Sequence, residues 1–485
     1  MFKDLPTYKN YALLCGLMVW GIAANAQNTS LEDCFNLAQQ NNLSLRQAKS
    51  SLASGEANLK AEKKSYLPKV DLLSSYTYLS SPLTINLQQA RDGVVNGSSQ
   101  QSVNTANEVF KEITGNPLPQ SVQDRIYNTS KNVIGAIYPD YNPSLSRQSY
   151  FVAGVGFRQP IFLGYKLDAA GNLAESLVKS ADINVDLVGK ELEFLISLQY
   201  LRILYLNTLL SEQQIMVNAL TKNNEYAQQL VKNEILAPYQ KSWTNVVLIQ
   251  AQSQFNNIKL EQENAKVELN KLLGVPLDSN IVIADTLKYR PIEPAAPKED
   301  FWVSNPIYRM AGSKINYAKT AEKISRSFSL PNIFAIGNYN LYQKDLPVTM
   351  PDWFIGVELQ WSLFNGQTRK RTQAASKLVE EAKLGEQSAG LALQVQSTVA
   401  RNKMKSLQND VYALGNARKE AHTTSTLIAE RMKNQLSSPK DVNDALLVET
   451  EIDKGYHTAV FGYYLAVAAY FNSIGSPKEL AKYLK

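Results

Sequence analysis

Side chains that commonly perform catalysis are scarce in this sequence of 485 residues. It contains two histidines, His422 and His457, and two cysteines, Cys15 and Cys34. It has no CxxC pair, no GxSxG nucleophile turn and no Walker phosphate loop. Its carboxylates fall in helical patterns that are typical of solvated faces. We therefore predict no enzyme activity, no bound cofactor and no metal site.

The first residues have the pattern of an export signal. Two lysines precede an apolar run, and small residues follow it at Ala24 and Ala26. A signal peptidase reads small residues at such positions, so we expect residues 1–26 to be removed before Gln27. Cys34 would then be the only cysteine of the mature chain, which excludes an intrachain disulfide and favours a small buried apolar side chain.

The net charge and the lengths of the apolar runs exclude two further kinds of protein, those that bind nucleic acid and those that span a membrane with helices. The formal net charge of +6 is small for the length and its charges are scattered, so we predict no nucleic-acid partner. Beyond the leader no run of 18 or more apolar residues occurs, and we expect no transmembrane helix. Any membrane crossing would therefore be made by strands.

One short segment carries bulky apolar residues at alternate positions, as a strand with one buried face does. One side, which is mostly polar, carries Phe354, Gly356, Glu358 and Gln360. Its other side carries only bulky apolar residues: Trp353, Ile355, Val357, Leu359 and Trp361. Such a face packs either on a protein core, which is the commoner case, or against lipid outside a β-barrel.

The chain is predicted to be a tandem duplication. The segment that ends at Pro68 aligns without gaps on the segment that ends at Pro331, with Asn42 on Asn305. Later matching pairs are Phe162 with Phe364, Gly164 with Gly366, Pro238 with Pro439, and Gly274 with Gly475. After the signal peptide we therefore place a first repeat over residues 27–290 and a second over 291–485.

The repeats differ in length at one place. The first repeat holds extra residues at about 80–147, a stretch rich in Asn, Ser, Gln and Pro, which we predict to be a long surface loop between two strands. Helices are expected over about 30–65, 166–236 and 241–273. The long helical stretch tolerates no insertion, because a shift of one residue would rotate its buried seam by about 100°.

Each repeat is predicted to hold one β-hairpin with a single apolar face. In the first hairpin, Phe151, Val155 and Phe157 correspond to Trp353, Val357 and Leu359 of the second. Four strands cannot close a barrel. In lipid, open edges would leave backbone groups unpaired, so closure would need other chains.

Short segments recur in both repeats in the same order: "KKSYLP" and "RSFSLP", then "QPIFLG" and "WSLFNG", then "LLGVP" and "SIGSP". With the opening "SLEDCFNLAQQNNLSLRQA", this order resembles the TolC-like outer-membrane efflux family over essentially the whole mature chain. The resemblance implies an α+β membrane protein. Each chain would give four transmembrane strands to a trimeric twelve-stranded β-barrel, and long coiled-coil helices would continue the barrel as a periplasmic α-barrel.

The resemblance also implies roles for particular residues. Gly164, Gly366, Pro238 and Pro439 would make the repeat turns. The expected lipid-facing strand residues are Phe151, Val155, Phe157, Trp353, Ile355, Val357, Leu359 and Trp361, with the two tryptophans near the interfaces.

The segment "SSPKDVNDALLVETE" is similar to the periplasmic tip of that family and places a gate at Asp441 and Asp444. Their spacing of three puts both carboxylates on one helix face, and three chains would bring six carboxylates together. The alternative is that they only cap a helix start. The tip glycine common in the family is replaced here by Leu436-Ser437.

The implied function is a passive trimeric exit duct in the outer membrane, with a periplasmic extension. It would work with outer-membrane lipid, a periplasmic adaptor protein and an inner-membrane pump, in a tripartite efflux or type I secretion system. A different class also fits the sequence: an exported coiled-coil structural or ligand-binding surface protein without a channel.

Overall fold

The computed structural model describes residues 29–80, 87–137, 148–283, 285–293, 299–344 and 350–484. The first repeat contains α1 (Leu31–Asn41), α2 (Leu43–Glu62), β1 (Lys69–Tyr78), α3 (Leu87–Thr114), α4 (Gln120–Ile137), β2 (Ser149–Leu163), α5 (Lys166–Lys232) and α6 (Pro238–Leu273). The second contains α7 (Pro306–Ser327), β3 (Asn332–Lys344), β4 (Trp353–Gln360), α8 (Gly366–Lys433) and α9 (Pro439–Ser473), with short 3₁₀ helices at Phe301–Ser304 and Pro477–Tyr483. The predicted signal peptide, Cys15 and Gln27 lie outside the described residues.

The chain divides into two compact units. The first comprises Met1–Leu52, Ser180–Gly312 and Leu384–Lys485, and the second comprises Ala53–Lys179 and Ser313–Lys383. Both long helices, α5 and α8, contribute to both units.

The second unit contains a four-stranded antiparallel sheet in the order β1-β2-β3-β4. The two hairpins predicted from the repeats are joined by pairing of β2 with β3. Their registers place equivalent residues across from one another, as in Leu72 with Val155 and Ala335 with Val357. A register shift follows Pro160, which has no backbone N–H to give to the ladder. The four strands of the predicted fold class are therefore confirmed.

The segment between β1 and β2 corrects one expectation. We predicted a long loop at about 80–147, but its described part contains α3 and α4. The reason is that buried valines follow a helical spacing along α3, at Val95 and Val103, and Val122 of α4 is buried as well. The many polar residues of this stretch cover the outside of a helical hairpin, so its composition resembles that of a loop.

The core of the first unit is apolar and rich in tyrosine. Fully buried residues from four helices form it: Leu31 and Cys34 of α1, Ile196, Tyr200 and Leu204 of α5, Leu269 of α6, and Val460, Tyr464 and Val467 of α9. The tyrosine hydroxyls bond the segment between the repeats, since Tyr463 accepts from the Ile292 N–H at 2.8 Å and Tyr464 donates to the Lys288 carbonyl at 2.8 Å. Burial raises the pKa of the Cys34 thiol to about 12, so Cys34 is the small buried apolar residue that we expected.

Helix α5 also corrects the expectation that no helix is apolar enough to span a membrane. Among the described residues it is the one helix that meets this test of length and composition. Half of its most apolar stretch of 18 residues is buried inside the protein, as is common for the core helix of a folded unit.

The helix predicted over about 30–65 is broken at Asn42, which has an extended backbone between α1 and α2. Its side-chain amide donates to the Leu272 carbonyl at 2.7 Å and accepts from the Leu45 N–H at 3.1 Å. The break occurs because this buried side chain caps α2 and bonds the end of α6 at the same time.

Candidate functional site

One face of the sheet is predominantly apolar, and its large apolar residues extend from one edge strand to the other. Strand pairing sets Tyr339 of β3 between Val155 of β2 and Trp353 of β4, so the alternating residues of all four strands share this face. The most exposed of the predicted lipid-facing residues are Ile355 and Val357, at 68% and 70%. Exposure at this level on adjoining large apolar residues marks a surface that something else covers.

The remaining residues predicted for that face are also placed by the structure. Trp353, Leu359 and Phe151 are exposed, while Val155 and Phe157 are half-buried. Trp361 is exposed just beyond the end of β4, and its indole N–H donates to the Ser329 carbonyl at 3.2 Å.

Aromatic residues gather at one end of this face. Tyr76 lies opposite Phe151, and Tyr339 lies opposite Trp353. Trp361 lies at the opposite end of β4. Tyrosine and tryptophan at the two ends of an apolar band are typical of strands that cross a bilayer.

The other face of the sheet carries a buried arginine that the sequence analysis missed. Arg158 of β2 is 7% exposed, and its guanidinium lies 3.8 Å from the ring centroid of Phe334. It also forms an ion pair with Glu358 of β4, with 3.3 Å between Nη2 and Oε2. The alternation of side chains along β4 predicted that Glu358 lies on the polar side. Its partner, Arg158, could be identified only once the pairing of β2 with β3 was known.

The predicted turn residues divide into two kinds. Gly164 has φ +60°, and a Cβ there would lie 2.7 Å from the Leu330 Cβ and 2.8 Å from the Ser327 carbonyl oxygen. Gly366 is the first residue of α8, with nothing within 4 Å of a Cβ added there. Only Gly164 requires glycine, so the sequence match between the two hides a structural difference.

The predicted tip turns are alike in the two repeats. Glu234 and Gln435 both have positive φ, 58° and 60°, just after the ends of α5 and α8. The next helices begin at Pro238 and Pro439. Proline has no backbone N–H, but the N–H of the first helical residue forms no hydrogen bond within the helix, so none is lost at these positions. The left-handed residue of each tip turn is therefore not a glycine, and Leu436-Ser437, expected in place of the family's tip glycine, follow Gln435.

Asp441 and Asp444 lie at the start of α9. Asp441 forms a capping box with Ser438, because its carboxylate accepts from the Ser438 N–H at 2.8 Å and its N–H donates to the Ser438 hydroxyl at 3.2 Å. These hydrogen bonds hold the pKa of Asp441 below its usual value. Asp444 accepts a hydrogen bond from Lys440 at 2.6 Å.

Both carboxylates line a groove of about 570 Å³ between α8 and α9. Its other walls are mostly small or apolar, with Ala421 and Ile428 from α8 and Ala445 and Val448 from α9. The structure thus brings the predicted gate residues together on one surface, and it also gives Asp441 the capping role that was the alternative.

A second polar cluster was also missed, because its members come from three helices far apart in sequence. Arg418 of α8 donates to Asp453 of α9 at 2.6 Å and to Glu212 of α5 at 3.1 Å. His457 lies 3.5 Å from Glu212, and burial raises the pKa of Asp453. Among the described residues no group of three or more His, Cys, Asp or Glu side chains could hold a metal ion.

No protein-family model matches the sequence, and no curated protein matches it. Solved structures match nearly the whole chain. The outer membrane protein VceC of Vibrio cholerae is 15% identical, with a TM-score of 0.68 over 92% of this chain and 96% of its own. The CmeC outer membrane channel of Campylobacter jejuni is 13% identical, with a TM-score of 0.72 over 94% and 90%. The MtrE outer membrane channel of Neisseria gonorrhoeae is 14% identical, with a TM-score of 0.68 over 92% and 89%. The chain therefore has the fold of these outer-membrane channel proteins, as its resemblance to the TolC-like family predicted.

Proposed function

We propose that this protein is a passive trimeric exit duct in the outer membrane. The observation that carries the proposal is a four-stranded sheet with one predominantly apolar, exposed face and with two edge strands, β1 and β4, that each pair on one side only within the described residues. A predominantly apolar exposed face fits lipid, and unpaired edges are not tolerated there. Three chains joined edge to edge give a closed barrel of twelve strands.

The duct works with other proteins, because a wide water-filled tunnel has no energy source of its own. In keeping with the TolC-like resemblance, a periplasmic adaptor protein and an inner-membrane pump supply the energy, in a tripartite efflux or type I secretion system. Solved structures of the same fold are described as outer membrane channels, which supports this location for the present chain. In this proposal the protein is exported and residues 1–26 are removed as a signal peptide before Gln27.

The gate of the duct is formed by Asp441 and Asp444 of three chains. Both carboxylates line one surface at the start of α9, next to a tip turn that occurs in both repeats. Six carboxylates around a narrow point attract cations and repel anions. Contacts with the adaptor shift the tip helices from a closed to an open arrangement.

Single-channel conductance in planar bilayers tests the duct and its gate together. We expect a small cation-selective current from the purified mature protein, and a larger or less selective current from the Asp441→Asn/Asp444→Asn double variant. Ser438→Ala is the matched control, because it removes the capping box and keeps both charges. A current altered equally by Ser438→Ala would assign the effect to the cap and not to the carboxylates.

The alternative is an exported coiled-coil protein without a channel. Its exposed sheet face would pack on another protein surface. Mature protein that is soluble without detergent and never inserts into bilayers would favour that function and contradict the duct.

A further inference from the structure

The helical hairpin between β1 and β2, residues 87–137, contacts the polar face of the sheet. The contacts from α3 are an ion pair of Glu112 with Lys69 at 3.1 Å, a hydrogen bond from Gln101 to the Ser75 hydroxyl at 3.5 Å, and the Phe110 ring centred 5.7 Å from the Arg158 guanidinium. These three residues lie in the C-terminal half of α3, and their partners extend from Lys69 to Ser75, so this half of the helix lies along β1.

The contacted sheet residues all share one face. Lys69 and Arg158 are directly opposed in the pairing of β1 with β2. Ser75 lies an even number of residues beyond Lys69 on the same strand, so it points the same way. Exposure along β1 alternates in agreement, since polar-face residues such as Ser75 are half-buried while Leu72 of the apolar face is 72% exposed.

The second helix of the hairpin reaches the far edge of the sheet. Arg125 of α4 donates to the Leu359 carbonyl of β4 at 3.5 Å. Since α3 contacts β1 and α4 contacts β4, the hairpin has contacts at both edges of the sheet. The two helices are joined to each other by Arg91, which donates to the Gly135 carbonyl at 2.8 Å, and by buried valines.

Arg158 is buried where the hairpin meets the sheet. Its guanidinium stacks on Phe334 of β3, pairs with Glu358 of β4 and faces Phe110 of α3. An arginine in the wall of an open water-filled barrel would be solvated, whereas this one is 7% exposed.

We propose that residues 87–137 form a plug inside the barrel that limits the size of the solutes passing through it. This inference rests on the proposed function, because the polar face lines a lumen only if the apolar face meets lipid. Twelve strands about 4.8 Å apart and tilted by about 40° enclose roughly 24 Å between backbones. A helix with its side chains is about 10 Å across, so one helix from each of the three chains at the same level already fills about half of that cross-section.

Removal of the plug is the first test. Residues 87–137 are replaced by a short Gly-Ser linker, and single-channel conductance is measured with polyethylene glycols of graded size as probes of the free diameter. We expect the conductance to rise several-fold and larger polymers to enter.

The double variant Phe110→Ala/Glu112→Ala keeps the hairpin but removes its contacts with Arg158 and Lys69. We expect the channel of this variant to open intermittently. Lys111→Ala on the same helix is the matched control and leaves the conductance unchanged.

The possible failures are distinguishable. A deletion variant that inserts and conducts like the parent, with the same size limit, overturns the plug and leaves the duct intact. A parent protein that never inserts overturns the proposed function, and the plug with it.

A second measurement applies to the full-length trimer, so that a deletion variant that fails to assemble does not leave the plug unresolved. Ser75→Cys/Gln101→Cys is treated with a short bismaleimide, and Ser74→Cys/Gln101→Cys is the control because Ser74 lies on the opposite face of β1. We expect a cross-link within one chain for the first pair only. No cross-link in either pair, or equal yields, would contradict a hairpin seated on the polar face.

Discussion

Two buried asparagines, Asn42 and Asn305, have the same structural role in the two repeats. Asn305 donates to the Ser473 carbonyl at 3.0 Å and accepts from the Ile307 N–H at 2.9 Å, much as Asn42 bonds Leu272 and Leu45. Each side chain therefore caps the start of one helix and satisfies a carbonyl at the end of another. The sequence alignment set these asparagines on each other, but it did not predict a capping role, because the carbonyl partners are more than 160 residues away.

Replacing either asparagine should weaken the first unit. Asn42→Ala or Asn305→Ala removes two hydrogen bonds and leaves an N–H and a carbonyl without them, one buried and the other partly buried, at a cost of about 1–3 kcal/mol. We expect an apparent melting temperature lower by several degrees, followed by circular dichroism at 222 nm. The control is Asn256→Ala on the exposed side of α6, where alanine favours the helix. Equal melting temperatures for all variants would mean that the caps contribute little.

At the scale of elements, helix and strand types followed from periodicity, while the ends of elements and the insertion did not. The apolar alternation of β4 was visible because each exposed side chain of one face is large and apolar. The hairpin of α3 and α4 was missed because only a few of its residues, such as Val95 and Val103, are buried and the rest are polar. Arg158 was missed because its partners come from β3 and β4, which no local pattern connects to β2.

The turn from β2 into α5 provides a matched pair of substitutions. Gly164→Ala would force an alanine into a left-handed conformation and bring its Cβ within 2.7 Å of Leu330, which we expect to cost about 2–4 kcal/mol. Gly366→Ala meets no atom within 4 Å and should be close to neutral. The yield of assembled trimer, and its resistance to heating in sodium dodecyl sulfate, would be compared for the two variants. Equal loss in both would show that assembly depends on the sequence motif and not on the conformation of Gly164.

At the scale of the whole molecule, the edges of the sheet determine which assemblies this chain can form. A single chain offers four strands, an apolar face and unpaired groups along β1 and β4 within its described residues. In water the unpaired edges can be hydrated, but exposure of the apolar face is unfavourable. In lipid the apolar face is favourable, but the unpaired edges have no hydrogen-bond partners. The closure by three copies in a bilayer that we propose would satisfy both requirements at once.

The two faces of one strand test this directly. Val357→Lys places a charge in the middle of the apolar face, where contact with lipid would cost about 2–4 kcal/mol per chain. The neighbouring variant, Gly356→Lys, puts the same charge at nearly the same depth on the polar face, where an added Cβ makes only an ordinary contact with Ile336 at 3.9 Å. We expect Val357→Lys to reduce the amount of trimer recovered in outer-membrane fractions, and Gly356→Lys to leave it close to that of the parent protein. If both variants assemble equally well, the apolar face does not meet lipid, and a soluble assembly in which that face is covered by protein becomes the better account.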